Sequence, residues 1–121
     1  MNLPADVLAA CDDDIEIEIV TSRPDGRPRR TVVWPVVEDR VAYVRSYKGR
    51  AGTWYQEALA RPDGALAVGG RDVPIRFVPA TDPASIAACS AALARKYVDD
   101  PSLPSMLVDD VLSTTLRIEP R

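Results

Sequence analysis

The sequence predicts a mainly β protein of the α+β class: six antiparallel strands closing into a small barrel, with two helices crossing over it. Three observations carry this. Runs of strand length, apolar or alternating, recur at 15–21, 29–38, 41–46, 65–68, 73–78 and 113–119. Turn chemistry separates several of them, as in Pro24-Asp25-Gly26, Glu38-Asp39-Arg40 and Gly69-Gly70-Arg71-Asp72, so neighbours in sequence become hairpins. Six strands joined this way can close on themselves and remove exposed edges. A chain of 121 residues with 46% hydrophobic content makes one domain with a modest core. No internal repeat, low-complexity tract or linker interrupts it.

The elements follow in order. Leu3 to Cys11 forms a short helix with Pro4 in its first turn, where a missing N–H costs nothing. Asp12, Asp13 and Asp14 read as a polar turn, because adjacent carboxylates point in different directions and no further ligand sits at a metal-like spacing. Ile15, Ile17 and Ile19 face one way and Glu16 and Glu18 the other, as in a strand with one wet face. The second strand, Arg29 to Glu38, is apolar on both faces over Thr31 to Val37, which predicts a central, buried position. Pro35 cannot donate to a ladder and predicts a bulge or local edge within it. Val41 to Ser46 returns as its hairpin partner. Thr53 and Gln56 have the spacing of a capping box that starts a helix at Trp54, and Arg61-Pro62-Asp63-Gly64 ends it.

The second half repeats the logic. Ala65 to Val68 and Val73 to Val78 form a hairpin, with Val73, Ile75 and Phe77 on one face and Pro74 placing the start of that strand at an edge. Asp82-Pro83 opens the longest helix, Asp as cap and Pro at the first position. Ile86, Cys89, Leu93 and Tyr97 fall at helical spacing until Asp99-Asp100-Pro101 stops it. One or two helical turns between Leu103 and Asp110 precede the last strand, with Thr114, Leu116 and Ile118 on one face.

Composition removes several function classes. A net charge of −3 and a pI near 4.9 argue against general nucleic-acid binding. There is no histidine, so no Ser-His or Cys-His dyad and no histidine metal site. Cys11 and Cys89 have no metal or redox spacing and read as small buried hydrophobes, reduced in a cytoplasmic protein. Neither a signal peptide nor a membrane span is expected. The positive charge is unevenly placed, with Arg23, Arg27, Arg29, Arg30, Arg40, Arg45, Lys48 and Arg50 in one segment. An acidic protein with one basic segment points to a specific small anionic ligand. The plain alternative is a set of surface arginines in weak pairs.

The stretch Val41 to Gln56 focuses that charge. A strand runs into a glycine loop and then a helix start, where unpaired N–H groups and the positive dipole end meet Arg45, Lys48 and Arg50. Ser46 adds a hydroxyl. The combination reads as an anion site, most simply for a phosphate; a solvated basic turn is the alternative.

The same residues resemble a known pattern. Asp25-Gly-Arg-Pro-Arg29, Thr31-Val-Val-Trp34, Tyr43-Val-Arg-Ser46, a glycine loop and Trp54-Tyr55 recur in this order in the flavin- and deazaflavin-binding split-barrel proteins. The chain is similar to the deazaflavin-dependent nitroreductases of that superfamily, where an Ala-Ser-x-Gly-Gly loop precedes a Trp-Tyr helix start. It also resembles a small uncharacterised bacterial family with recurring pieces like Tyr43 to Tyr47, Lys96-Tyr97 and Thr115 to Arg117. Two departures stand out. Arg23-Pro24 replaces the usual Lys of the first turn, and Gln56-Glu57 replaces the Asn after Trp-Tyr.

The resemblance implies an FMN-binding-like split β-barrel. It implies a deazaflavin coenzyme or FMN, its phosphate against the basic loops and its ring on the barrel strands. Carried over by position, Arg27 and Arg29 match the first basic turn, Ser46, Lys48 and Gly49 the glycine loop, and Trp54 the helix start. The expected cofactor contacts are thus Arg27, Arg29, Arg30, Trp34, Ser46, Lys48, Gly49, Arg50 and Trp54, with Tyr43, Tyr47 and Tyr55 toward substrate. One expectation is a flavin- or deazaflavin-dependent oxidoreductase acting on a small organic molecule. Another is a cofactor-free module holding a small anion or metabolite. A homodimer paired across a sheet face, the doubly apolar strand in its core, is expected with either, without nucleic-acid or membrane partners.

Overall fold

The computed structural model describes residues 2–121. Strands β1 (Ile17–Ser22), β2 (Pro28–Val33), β3 (Val36–Glu38), β4 (Val41–Val44), β5 (Asp63–Val68), β6 (Arg71–Pro79) and β7 (Leu116–Pro120) form one sheet in the order β2-β1-β5-β6-β7-β4-β3. Every pairing is antiparallel.

Seven strands replace the expected six because Pro35 divides one of them. β2 pairs with β1 from Ser22↔Pro28 to Ile17↔Val33, and β3 pairs with β4 from Val36↔Tyr43 to Glu38↔Val41. A proline supplies no ladder hydrogen bond and fixes its own φ. The run expected to be central and buried therefore ends up at both extremes of the sheet. The curled sheet brings those extremes together, so its first and last strands are linked by two residues, Trp34-Pro35. β2 is an edge strand, and Val32 is 55% exposed.

The alternation of strand residues fills two cores. Inside the curl lie Ile17 and Ile19 of β1, Ala42 and Val44 of β4, Ile75 and Phe77 of β6, and Leu116 and Ile118 of β7. Helix α1 (Ala5–Asp13) adds Val7 and Cys11, and α2 (Thr53–Ala60) adds Trp54, Tyr55 and Ala58. Ile15 lies outside this core, since β1 begins two residues later than the alternation alone suggests. On the other face, α3 (Pro83–Lys96) lays Cys89, Ala92 and Leu93 against Val36 and Tyr43. Asp82 caps α3, its carboxylate accepting the Ser85 N–H at 3.1 Å. Burial pushes both Cys11 and Cys89 up to about 11, as suits inert core thiols.

Local chemistry matches the remaining turns. Gly69 and Gly70 both take positive φ, 58° and 78°, giving the two-residue turn that suits a right-twisted hairpin. Pro74 sits one residue before β6 begins to pair with β7 at Ile75, a local edge within a central strand. The Trp34-Pro35 link is fixed from α3. Lys96 Nζ donates to the carbonyls of Pro35 at 2.6 Å and Cys11 at 2.9 Å. The Tyr97 hydroxyl donates to the Ile15 carbonyl at 2.7 Å, and its ring stacks on Trp34 at 4.0 Å. A 3-10 turn (Leu103–Met106) and α4 (Asp109–Leu112) lead into β7. No helix among the described residues is long and apolar enough to cross a membrane.

Candidate functional site

Two adjoining clefts meet where β2, the end of β4 and the start of α2 converge, sharing Val32, Tyr47 and Trp54 as walls. One, of about 350 Å³, is polar at its base and is lined by Arg29, Ser46, Lys48 and Thr53. The other, of about 260 Å³, is lined by Val33, Trp34, Arg45 and Met106.

The polar cleft is built by close packing of the glycine loop. Gly49 takes φ +69°, which favours glycine. The Ser46 hydroxyl turns inward and donates to the Gly49 carbonyl at 2.7 Å. A Cβ on Gly52 would overlap Ser46 Oγ, so a side chain here would force that hydroxyl to move. Gly52, not Thr53, is then the N-cap of α2, and the expected capping box does not form. Gln56 instead donates to the Arg50 carbonyl at 3.0 Å. With no side-chain cap, the first N–H groups of α2 open beside the cleft. The Lys48 ammonium has no partner among the described residues. Arg29 uses Nε to bond Glu57 at 2.8 Å, and Glu57 also accepts the Thr21 hydroxyl at 2.8 Å.

The second cleft has an aromatic frame and a cationic floor. Trp34 is held by its stack on Tyr97, while Trp54 packs on Tyr55 and Phe77. Arg45 is 2% exposed. Its guanidinium donates to Thr115 Oγ1 at 2.9 Å, the Met106 carbonyl at 3.1 Å, the Ile86 carbonyl at 3.0 Å and Ser90 Oγ at 2.9 Å. All four acceptors are neutral. Burial pushes the guanidinium below its usual value.

The other sequence-predicted residues are dispersed. Arg27 is an exposed hairpin residue paired with Asp25 at 2.8 Å. Arg30 points away from the clefts to Glu18 at 2.9 Å and Asp72 at 2.6 Å. Arg50 lines an adjoining hollow, which shares Lys48 with the polar cleft, beside Asp109 and Asp110, and touches Ser113 at 3.3 Å. Tyr43 is buried under α3 and Tyr55 inside the curl; of the three tyrosines, Tyr47 alone reaches the clefts. The structure thus gathers Arg29, Trp34, Ser46, Tyr47, Lys48 and Trp54, with Gly49 shaping the loop.

Sequence reasoning grouped Arg45 with the loop cations and passed over Glu57. A signal for Arg45 existed. Strand parity puts it on the Tyr43 side of β4, the face that α3 covers. The three pieces that resemble the bacterial family also converge: Arg45 bonds Thr115, and Tyr97 holds Trp34 at the wall of the Arg45 cleft. Among the described residues no group of three His, Cys, Asp or Glu side chains is placed to hold a metal ion.

Solved structures share this fold. The conserved hypothetical protein Rv2991 from Mycobacterium tuberculosis aligns over 100% of this chain and 81% of its own, with a TM-score of 0.67 at 13% identity. HutZ, the heme storage protein of Vibrio cholerae, aligns over 100% and 92%, with a TM-score of 0.66 at 11% identity. An F420 reductase aligns over 98% and 96%, with a TM-score of 0.61 at 18% identity. Identities this low carry the fold, which is the split barrel that the sequence resemblance implied. No curated protein matches the sequence. A family model matches residues 7–118, nearly the whole chain, and the protein belongs to that family, described as uncharacterized protein conserved in bacteria (DUF2255).

Proposed function

We propose that this protein binds a flavin-type cofactor, FMN or its deazaflavin counterpart, across the two clefts and uses it to reduce or oxidise a small organic molecule. The observation that carries the reading is the pairing of a polar cleft at an uncapped helix start with an aromatic cleft that shares its walls. The phosphate end would lie with Lys48, the terminal nitrogens of Arg29 and the first N–H groups of α2. The planar end would rest on Val32, Trp54 and Trp34. When bound, the cofactor supplies the hydride chemistry; the chain orients it and excludes water. Tyr47, 64% exposed at the rim, is the tyrosine that would meet a substrate. The F420 reductase among the similar structures supports the reading at the level of fold.

One observation favours a second reading, a cofactor-free site for a small monoanion. Glu57 already offsets the charge of Arg29, so Lys48 is the uncompensated cation of the polar cleft.

Fluorescence titration with FMN and with the deazaflavin coenzyme separates the two. The cofactor reading expects micromolar or tighter binding of one of them, weakened about tenfold or more in Lys48→Ala, as fits the loss of a charge-assisted phosphate contact. Arg50→Ala, outside the lining of the polar cleft, should bind like the wild type. Absence of binding by either coenzyme leaves the monoanion reading.

A further inference from the structure

Arg45 belongs to a cleft whose lining contains no carboxylate. Removing a guanidinium from water is costly unless its hydrogen bonds are made and its charge is met. Here the hydrogen bonds are met and the charge is not. Thr115, Ser90 and two carbonyls take four of the five N–H donors, and no ion pair includes Arg45 among the described residues. The net positive charge therefore sits under a cleft walled by Trp34 and Trp54, with Val33 and Met106 completing an apolar surround.

Each part of this arrangement selects a ligand feature. A low-dielectric surround strengthens the attraction of a fixed cation for an anion. Aromatic side walls favour a flat ring. The bonds to α3, the 3-10 turn and Thr115, the residue before β7, clamp the guanidinium from three places, so its position is set before any ligand arrives. We infer that this cleft is a site for a planar aromatic carboxylate, its ring against the tryptophans and its carboxylate directed at Arg45. The inference depends on Arg45 and not on Lys48, but the ring would share the tryptophan walls with the planar end of the cofactor reading, so benzoate and a bound coenzyme should compete.

The test uses benzoate and its neutral isostere benzamide. Trp34 and Trp54 are the chain's two tryptophans and both line the cleft, so intrinsic fluorescence reports binding there. Benzoate should bind saturably and about tenfold or more tighter than benzamide. The preference should persist in Lys48→Ala. It should vanish in Arg45→Gln, with circular dichroism checking the fold. Ser102→Asp gives the same answer without disturbing the hydrogen bonds of Arg45, since it places a carboxylate at the exposed rim of the cleft. Equal binding of the two probes, binding of neither, or a preference lost with Lys48 instead of Arg45 would overturn the inference. Failure of both the FMN and the deazaflavin titrations alongside a benzoate preference would sink only the cofactor reading.

Discussion

Glu57 lies in the middle of α2, flanked by residues that give no hint of its role. Its Oε1 accepts from both Thr21 and Arg29 at 2.8 Å, and the residue is 5% exposed. Burial works to raise its pKa. The hydrogen bonds from Arg29 and Thr21, and the Arg29 charge, more than reverse this and hold the carboxyl below the usual carboxylate range. A depressed carboxyl contributes stability above its unfolded value near pH 4.3, and that contribution is lost as pH falls through the lower folded value. Acid unfolding should therefore steepen below about pH 4 in the wild type and be shallower in Glu57→Gln. At neutral pH the same substitution should cost about 1–3 kcal/mol, read from urea midpoints, because it weakens bonds to the buried Thr21 and the half-buried Arg29 at once. At this scale little was legible in the sequence. The arginines of the basic segment look alike, and their roles are set by partners brought near only by the fold. Arg30 meets Asp72, 42 positions away, and Arg45 meets Thr115, 70 away.

The loop from Ser46 to Thr53 shows where reading elements from local patterns succeeds and where it stops. Glycine positions, the helix start and the cap of α3 were all written in short-range chemistry, and they stand close to where that chemistry puts them. The identity of the α2 cap was not, because it depends on the Ser46 hydroxyl folding back across the loop. Gly52→Ala tests that contact. The new methyl would meet Ser46 Oγ, costing about 1–3 kcal/mol of overpacking. Ser46→Ala in the same chain should recover part of the loss, so the double variant should be more stable than the two single effects predict, by at least about 0.5 kcal/mol in a thermal or urea cycle. Strict additivity would mean the loop opens at no expense. The division of one apolar run into β2 and β3 escaped sequence reading for a related reason. Pro35 signals an interruption, but only the curl of the sheet decides that the two pieces belong to opposite ends.

The whole molecule leaves one long edge bare. β2 pairs with β1 alone, and its outer side carries Val32 beside the exposed Tyr47. An open edge with apolar residues near it is a surface that folded proteins cover. We expect a second copy to do so, giving a homodimer. Sedimentation velocity at micromolar concentration should show a dimer, and Val32→Lys should shift it to a folded monomer; a wild-type monomer would end the idea. The hairpins and the helix over one face were legible at this scale from turn residues and apolar spacing. The sheet order was not, since it is fixed by long-range pairings such as Ala42↔Ile118 and Ile75↔Pro120.

Those two pairings have a consequence for biosynthesis. β7 sits between β6 and β4 and is the last of the seven strands to leave the ribosome. Before it arrives, the nascent chain holds two separate pieces, β2-β1-β5-β6 and the β3-β4 hairpin, each with an unsatisfied edge. Arg45 at that stage also lacks Thr115, the acceptor for its Nε. Sheet closure and assembly of the cationic cleft are then a single late event. A stalled or truncated chain would be adhesive at both open edges.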